Sequence, residues 1–433
     1  MTEPSTSSHF SVVVIGGGQA GLAMSHQLQQ NGIDHVILEK NRIAHAWRTQ
    51  RWDAFCLVTP NWQCQLPAFP YAGDDPKGFM RRDEIVAYIE AYAKFIAAPV
   101  REGVTVTRLH QYPGGGFGLE TSSGAMTADA VVLAVSGYHV PNVPRMAERL
   151  DASVTQLHAS EYRNPDQLPP GEILVIGSGQ SGCQIAEDLH LAGRKVHLAV
   201  GSAPRCPRLY RGRDAVEWLD DLGQYDLPVD QHSLKEKVRK NANHYLTGRD
   251  GGRDIDLRKF ALEGMSLYGR LKDIQNGRLN FADDLAKNLD NADRVYNGIC
   301  GLIDDHIARN AIEAPASPHY EPVWRPIEVP TDLNPAKAGI SAVIWTTGFR
   351  SDWSWVELPI FDGAGYPTHR RGVTSMDGVY VLGLPWLYTW GSGRFVGVGR
   401  DAAFISRHLA ADKAAIKGAN TNQMNIRLAA SAV

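Results

Sequence analysis

The sequence predicts an α/β protein of two Rossmann-like dinucleotide-binding domains, the second inserted into the first. Three observations predict it. A β-branched apolar run, a GxGxxG turn and a helical pattern follow one another at "FSVVVIGGGQAGLAMSHQLQQNGIDHVILEK". The same order recurs at "GEILVIGSGQSGCQIAEDLHLAGRKVHLAVGS". Strand-like apolar runs then return at "AVIWTTGFR" and "GVYVLGLP", so both chain ends build the first domain. The expected division is 1–150 for the first part of that domain, 151–335 for the inserted domain, and 336–433 for the return. The inserted domain carries a helical insert at about 205–330.

In the first cradle, Val12 to Ile15 suit a strand buried on both faces. Gly16, Gly18 and Gly21 follow, with Gln19 and Ala20 at the helix start. The glycines permit a tight turn and let the backbone approach a pyrophosphate, while the helix N-terminus offers unpaired N–H groups and a positive dipole end. Glu39 lies 23 residues past Gly16, where a carboxylate accepts ribose hydroxyls, and Lys40 follows it.

The second cradle places Gly177, Gly179 and Gly182 in the same spacing, with Ser178, Gln180 and Ser181 between them. Its second strand ends differently. Position 200 holds valine, and Gly201 and Ser202 follow, so no carboxylate is available for a bare ribose. Arg205, Arg208, Arg211 and Arg213 then crowd into nine positions and repel one another unless solvent or an anion screens them. That combination is what a 2′-phosphate needs, so the site reads as one for NADP(H) rather than NAD(H). Arg205 and Arg208 are the expected phosphate ligands, Arg211 or Tyr210 the neighbours of the adenine, and Arg213 a partner for Asp214.

Between the cradles, "VTVTRLH", "GFGLETS" and "AMTADAVVLAVSG" read as a meander broken by glycine turns, and "VSGYHVPNVP" as a linker. Beyond Ala203 the pattern turns helical, with Leu285, Leu289, Val295, Ile299, Leu302, Ile303 and Ile307 near helical spacing. A glycine-rich loop, "WGSGRFVGVGRD", runs into a final helix. Five cysteines with no CxxC pair read as reduced thiols, and no metal site is expected. A net charge of -3 argues against a nucleic-acid partner. The polar start "MTEPSTSSHFS" lacks a signal-peptide layout and no apolar run is long enough to cross a bilayer, so a cytoplasmic protein is expected.

With these residues in place, the chain resembles the class B flavin-dependent monooxygenases: FMO-type enzymes, N-hydroxylases and Baeyer–Villiger enzymes. It is nearest in pattern to the YUCCA-like branch and its bacterial relatives. The resemblance runs over residues 10–200 and 340–410, through "GGGQAGLA", "RWDAFCLVTPNWQCQLPAFP", "LHASEY", "GSGQSGCQIAEDL" and "TTGF". The linker fingerprint departs from a Baeyer–Villiger pattern, with Ala152 and Val154 for its Phe and Gly and Tyr162 for its Trp.

The resemblance implies FAD in the first cradle and NADPH in the second, with O2 and a small organic molecule as substrates. Oxygen transfer would proceed through a C4a-(hydro)peroxyflavin. It further implies that Trp47, Arg48, Val106 and Gly137 contact FAD, and that Thr347 and Gly348 join Gln180 at NADPH. Asn61, on the loop expected under the flavin, is a candidate catalytic contact, set against a turn-capping role after Pro60. Two other readings stand beside this one: an NADPH oxidase or diaphorase releasing H2O2, and a non-catalytic flavoprotein sensor or transport accessory. A homodimer is one option.

Overall fold

The computed structural model describes residues 8–411. Residues 1–7, on which part of the signal-peptide expectation rests, and 412–433, the end of the expected third segment, lie outside the described residues.

The strand Ser8–Ile15 pairs in parallel with His35–Glu39 on one side and Gly124–Leu133 on the other. Val12, Val13 and Val14 are completely buried because helices and loops cover both faces. The two-residue period divides them. Val12 and Val14 pack with Leu22 and Met24 of the helix Gln19–Gln30, while Val13 and Ile15 pack with Phe117, Val131 and Leu384. Each such side chain contributes about 1.5–3 kcal/mol of transfer free energy. The meander Val106–Gln111, Phe117–Thr121, Gly124–Leu133 is antiparallel, and Val379–Val381 adds in parallel to Gly124–Leu133. Strands from both ends of the chain thus share one ten-stranded sheet.

A second, five-stranded sheet is parallel throughout, in the order Thr155–His158, Ile340–Trp345, Glu172–Ile176, Val196–Ala199, Ser266–Tyr268. Here the structure corrects the sequence reading. Ile340–Trp345, expected with the 336–433 return, lies inside the second sheet between Thr155–His158 and Glu172–Ile176. A buried apolar strand does not announce its partners. Between the sheets the chain crosses twice, and the crossings pair with each other: Val140–Pro141 runs antiparallel to Phe349–Arg350.

The insert is less helical than its sequence suggested. Its main helix, Leu285–Arg309, buries Leu285, Leu289, Ile299 and Ile303 as the spacing required, although Leu302 faces solvent. Leu271–Gln275, Arg278–Phe281 and Asp332–Leu333 instead form a small antiparallel sheet. No helix among the described residues is long and apolar enough to cross a membrane.

Candidate cofactor-binding site

Both glycine turns have one local geometry. Gly16 (φ +111°) and Gly177 (φ +109°) adopt a backbone that L side chains rarely reach. A Cβ on Gly21 would stand 1.9 Å from the Gly16 carbonyl oxygen, and one on Gly182 would stand 2.0 Å from that of Gly177. The protein's own packing therefore demands the outer glycines. The middle ones differ: a Cβ on Gly18 or on Gly179 meets no atom of the chain within 4 Å. Each of these residues is the N-cap of its helix. A residue kept small where the protein itself leaves room fits a ligand approaching the backbone, and the helix ends supply donors for its pyrophosphate.

At the first cradle the Glu39 carboxylate accepts the Gly17 and Asn41 N–H groups at 2.8 Å each, which fixes it at the strand end. Lys40 is exposed. The Gln19 amide donates to Gly393 at 3.4 Å, and a Cβ on Gly383 would meet that of Ala20 at 2.6 Å. The glycine-rich loop and the start of helix 395–411 therefore lie beside the start of the first-cradle helix.

The remaining residues expected at FAD take different places. Trp47 stacks on Phe395 with centroids 6.0 Å apart. Arg48 instead donates to Glu90 at 2.5 Å. Val106 pairs with Thr121 in the meander, and it is Val104 whose N–H bonds the Glu39 carbonyl. Gly137 accepts a bond from Ser351 in the crossing segment.

Asn61 is committed to the fold. It is buried, its Nδ2 donates to the Asp75 carbonyl at 2.9 Å, and its Oδ1 accepts from the Met80 N–H at 2.7 Å. This pinning of loop 75–80 corrects the expected catalytic contact. Two positions later sits a residue the sequence reading missed. Gln63 is 2% exposed, yet neither amide atom has a hydrogen-bond partner. A buried orphaned amide of this kind fits a bound polar group.

Two further omissions are Arg51 and Arg394. Neither takes part in an ion pair among the described residues. Arg51 lies over Trp47, and Arg394 lies 3.7 Å over Trp390 and donates to the Asn243 side chain at 3.0 Å. Burial pulls both guanidinium groups below their ordinary pKa, and the Tyr138 hydroxyl pulls each back up. Because every arginine is cationic, sequence alone does not separate these two from the many that carboxylates neutralise.

At the second cradle the Ser178 hydroxyl accepts the Gly201 N–H at 2.9 Å, and Ser181 and Ser202 are exposed. The Gln180 amide grips the Leu246 backbone at both ends, donating at 2.7 Å and accepting at 3.3 Å. It thereby ties cradle to insert. Thr347 donates to the Asn142 carbonyl, and the Gly348 carbonyl contacts His158 Nε2 at 2.9 Å and accepts the Asn142 N–H at 2.9 Å.

The arginines call for a correction. Arg205 is 2% exposed, held between the Tyr296 and Tyr320 rings at 4.4 and 4.2 Å. It faces Asp293 at 3.0 Å, Asp256 at 3.6 Å and Asp254 at 3.8 Å. Arg208 is 1% exposed, bound to Asp214 at 2.8 Å and to the carbonyls of Val58 and Thr247. Arg211 pairs with Asp304, as does the Tyr210 hydroxyl. Arg213 pairs with Glu217 and Asp221 rather than Asp214. The charge crowding is real, but the anions that answer it are carboxylates of the insert.

All five cysteines are buried and free; burial pushes Cys56 up to about 11 and Cys64 up to about 12, so both stay thiols at neutral pH. His158 ends the strand Thr155–His158 next to the crossing, its Nδ1 2.8 Å from the Ser160 hydroxyl.

Comparison with known proteins agrees with this geometry. The profile of the pyridine nucleotide-disulphide oxidoreductase family matches residues 13–243. The chain is 34% identical over 398 residues to an uncharacterized CzcO-like oxidoreductase of Geobacillus kaustophilus, covering 91% of this chain and 96% of that one. It is 30% identical over 273 residues to the indole-3-pyruvate monooxygenase YUCCA1 of Oryza sativa, covering 62% and 66% respectively. The flavin-containing monooxygenase of Stenotrophomonas maltophilia shares the fold, with a TM-score of 0.63, 20% identity and 93% and 99% coverage. The chain belongs to the pyridine nucleotide-disulphide oxidoreductase family.

Proposed function

We propose that the chain is an NADPH-dependent FAD monooxygenase that inserts one oxygen atom from O2 into a small organic substrate. The observation that carries the reading is the pair of open middle glycines, Gly18 and Gly179, in two cradles of one geometry on one chain. Similarity to monooxygenases supports the oxygen chemistry. The burial of Cys56 and Cys64, with its upward push on both thiols, argues against a dithiol relay at the flavin.

In this reading Gly16–Gly21, Glu39 and Trp47 hold FAD, and Gly177–Gly182 with Thr347 and Gly348 hold NADPH. Bound FAD, once reduced by NADPH, supplies the activation of O2. The chain's own residues do the rest. Arg51 and Arg394, cations without carboxylate partners, favour negative charge on what binds beside Trp47 and Trp390. Glu39 orients the adenosine ribose, and the 391–394 loop beside Gln19 screens the first cradle from water. An open cleft of about 560 Å³ lined by Trp62, Tyr225 and Arg400 lies between helix 395–411 and the insert, and none of its lining residues belongs to either glycine turn.

The test is anaerobic reduction by NADPH followed by 18O2, with products from a metabolite library read by mass spectrometry. Flavin reduction and one 18O in an organic product are expected. Reduction with H2O2 as sole product would establish the oxidase reading, and no reduction at all the sensor.

A further inference from the structure

With Arg205 and Arg208 turned inward, a coenzyme bearing a 2′-phosphate needs another cation at the end of the strand Val196–Ala199. The two cradles share a layout, so the first shows where to look. There Glu39 closes its strand opposite Glu102, and the next residue, Gly103, donates to the Asn41 carbonyl at 2.8 Å. In the second cradle Ala199 pairs with Tyr268, and the Val200 N–H continues the ladder to the Tyr268 carbonyl at 2.9 Å. The ladder stops there: the Val200 carbonyl accepts from the Asn288 side chain, and the Arg270 N–H donates to Asp284 rather than to the facing strand, so Arg270 stands two residues past Tyr268, just beyond the end of the paired strand.

Arg270 suits the task. Its backbone is fixed at both ends: its N–H donates to Asp284 Oδ1 at 3.0 Å, and its carbonyl accepts the Ala282 N–H at 2.8 Å. Its Nε donates to Asp284 Oδ2 at 2.7 Å, which aims the guanidinium. The terminal nitrogens carry no bond among the described residues, and the side chain is 64% exposed. Asn288, one turn into the helix Leu285–Arg309, donates to the Val200 carbonyl at 3.0 Å, so this edge does not drift from the strand end. Arg205 and Arg208 are buried among their partners, Arg211 pairs with Asp304, and Arg213 pairs with Glu217 and Asp221; Arg270 has a carboxylate too, Asp284, but meets it through Nε and is the most exposed of the five.

We propose that Arg270, reaching across from the neighbouring strand and oriented by Asp284, is the residue that binds the coenzyme's 2′-phosphate and sets the preference for NADP(H) over NAD(H). The proposal rests on the NADPH reading above. A charge-assisted bond to phosphate makes the expected effect at least about tenfold in affinity.

Isothermal titration calorimetry of the FAD-loaded protein with NADP+, NAD+ and 2′,5′-ADP tests it without turnover. Wild type should prefer NADP+ and bind 2′,5′-ADP. Arg270→Ala should weaken NADP+ and 2′,5′-ADP about tenfold or more while leaving NAD+ unchanged, and Arg270→Lys should restore part of the loss. A wild type that prefers NADP+ together with an unchanged preference in Arg270→Ala would overturn the role of Arg270 and leave the coenzyme reading standing. A wild type without preference would overturn both. Equal weakening of NADP+ and NAD+ in Arg270→Ala would make the residue structural and also overturn the proposal.

Discussion

Replacing Arg205 by alanine distinguishes a structural arginine from a coenzyme ligand. The side chain is buried, holds three aspartates within 4 Å and stacks on two tyrosines. Arg258 shares Asp293 at 2.8 Å and also binds Asp290 at 2.6 Å, so the carboxylates keep part of their compensation. Removing one partner from a buried pair nonetheless costs about 3–5 kcal/mol. If the inserted sheet and its insert unfold as one unit, that corresponds to a midpoint lower by roughly 6–20 °C. Scanning calorimetry or tryptophan fluorescence would read it. Asp293→Ala should cost less in the Arg205→Ala background than in wild type, because the two losses share one interaction. The ratio of NADPH to NADH efficiency should not change. An Arg205→Ala protein with wild-type midpoint and a KM raised for NADPH alone would refute the argument and return Arg205 to the phosphate.

Gly18→Ala should fold and purify colourless, because its methyl group meets only the space left for FAD; stoichiometric flavin in that variant would show the turn to be merely structural. Gly179→Ala should stay yellow while flavin reduction by NADPH falls about tenfold or more, read by stopped-flow absorbance. Asn61→Ala should lose about 1–3 kcal/mol of stability through the unpaired Met80 N–H, with the yield of oxygenated product per NADPH preserved in the folded fraction. Unchanged stability with lost oxygen transfer would restore Asn61 to catalysis. Burial holds the His158 imidazole below its ordinary value of 6.5. The unfolded chain therefore takes up its proton first, and the contribution of His158 is complete above pH 6.5 and declines as pH falls. His158→Gln should flatten the loss of thermal midpoint between pH 7 and 5; an unaltered slope would exclude the residue.

The parts legible in the sequence are those that local backbone geometry dictates. The outer glycines are required within their own turns, so their spacing carried the cradles, the strands before them and the helices after. The arginines were legible as charge but not as function. What neutralises Arg205 comes from Asp254 and Asp293, and what neutralises Arg211 comes from Asp304, all brought in by the fold from far along the chain. Asn61 illustrates the same limit at shorter range: its partners at 75 and 80 belong to a loop whose path no periodicity describes. Arg270 was invisible because it follows a strand whose partner, Val196–Ala199, lies some seventy residues earlier in the chain. Ile340–Trp345 shows the same of pairing, since an apolar run suits either sheet.

The paired crossings have a mechanical consequence. Two single strands would behave as independent tethers, but Val140–Pro141 and Phe349–Arg350 are laced together, and Asn142, His158 and Thr347 fasten the lacing at one end. Such a strap resists stretching and shearing more than twisting, so displacement of one sheet against the other becomes a rotation about the strap. Thr347 and Gly348 form the end of the strap, and Thr346 just before them donates to the Ile176 and Gly177 carbonyls at the rim of the second cradle. A molecule seated on that rim would brace the axle on which the two halves turn.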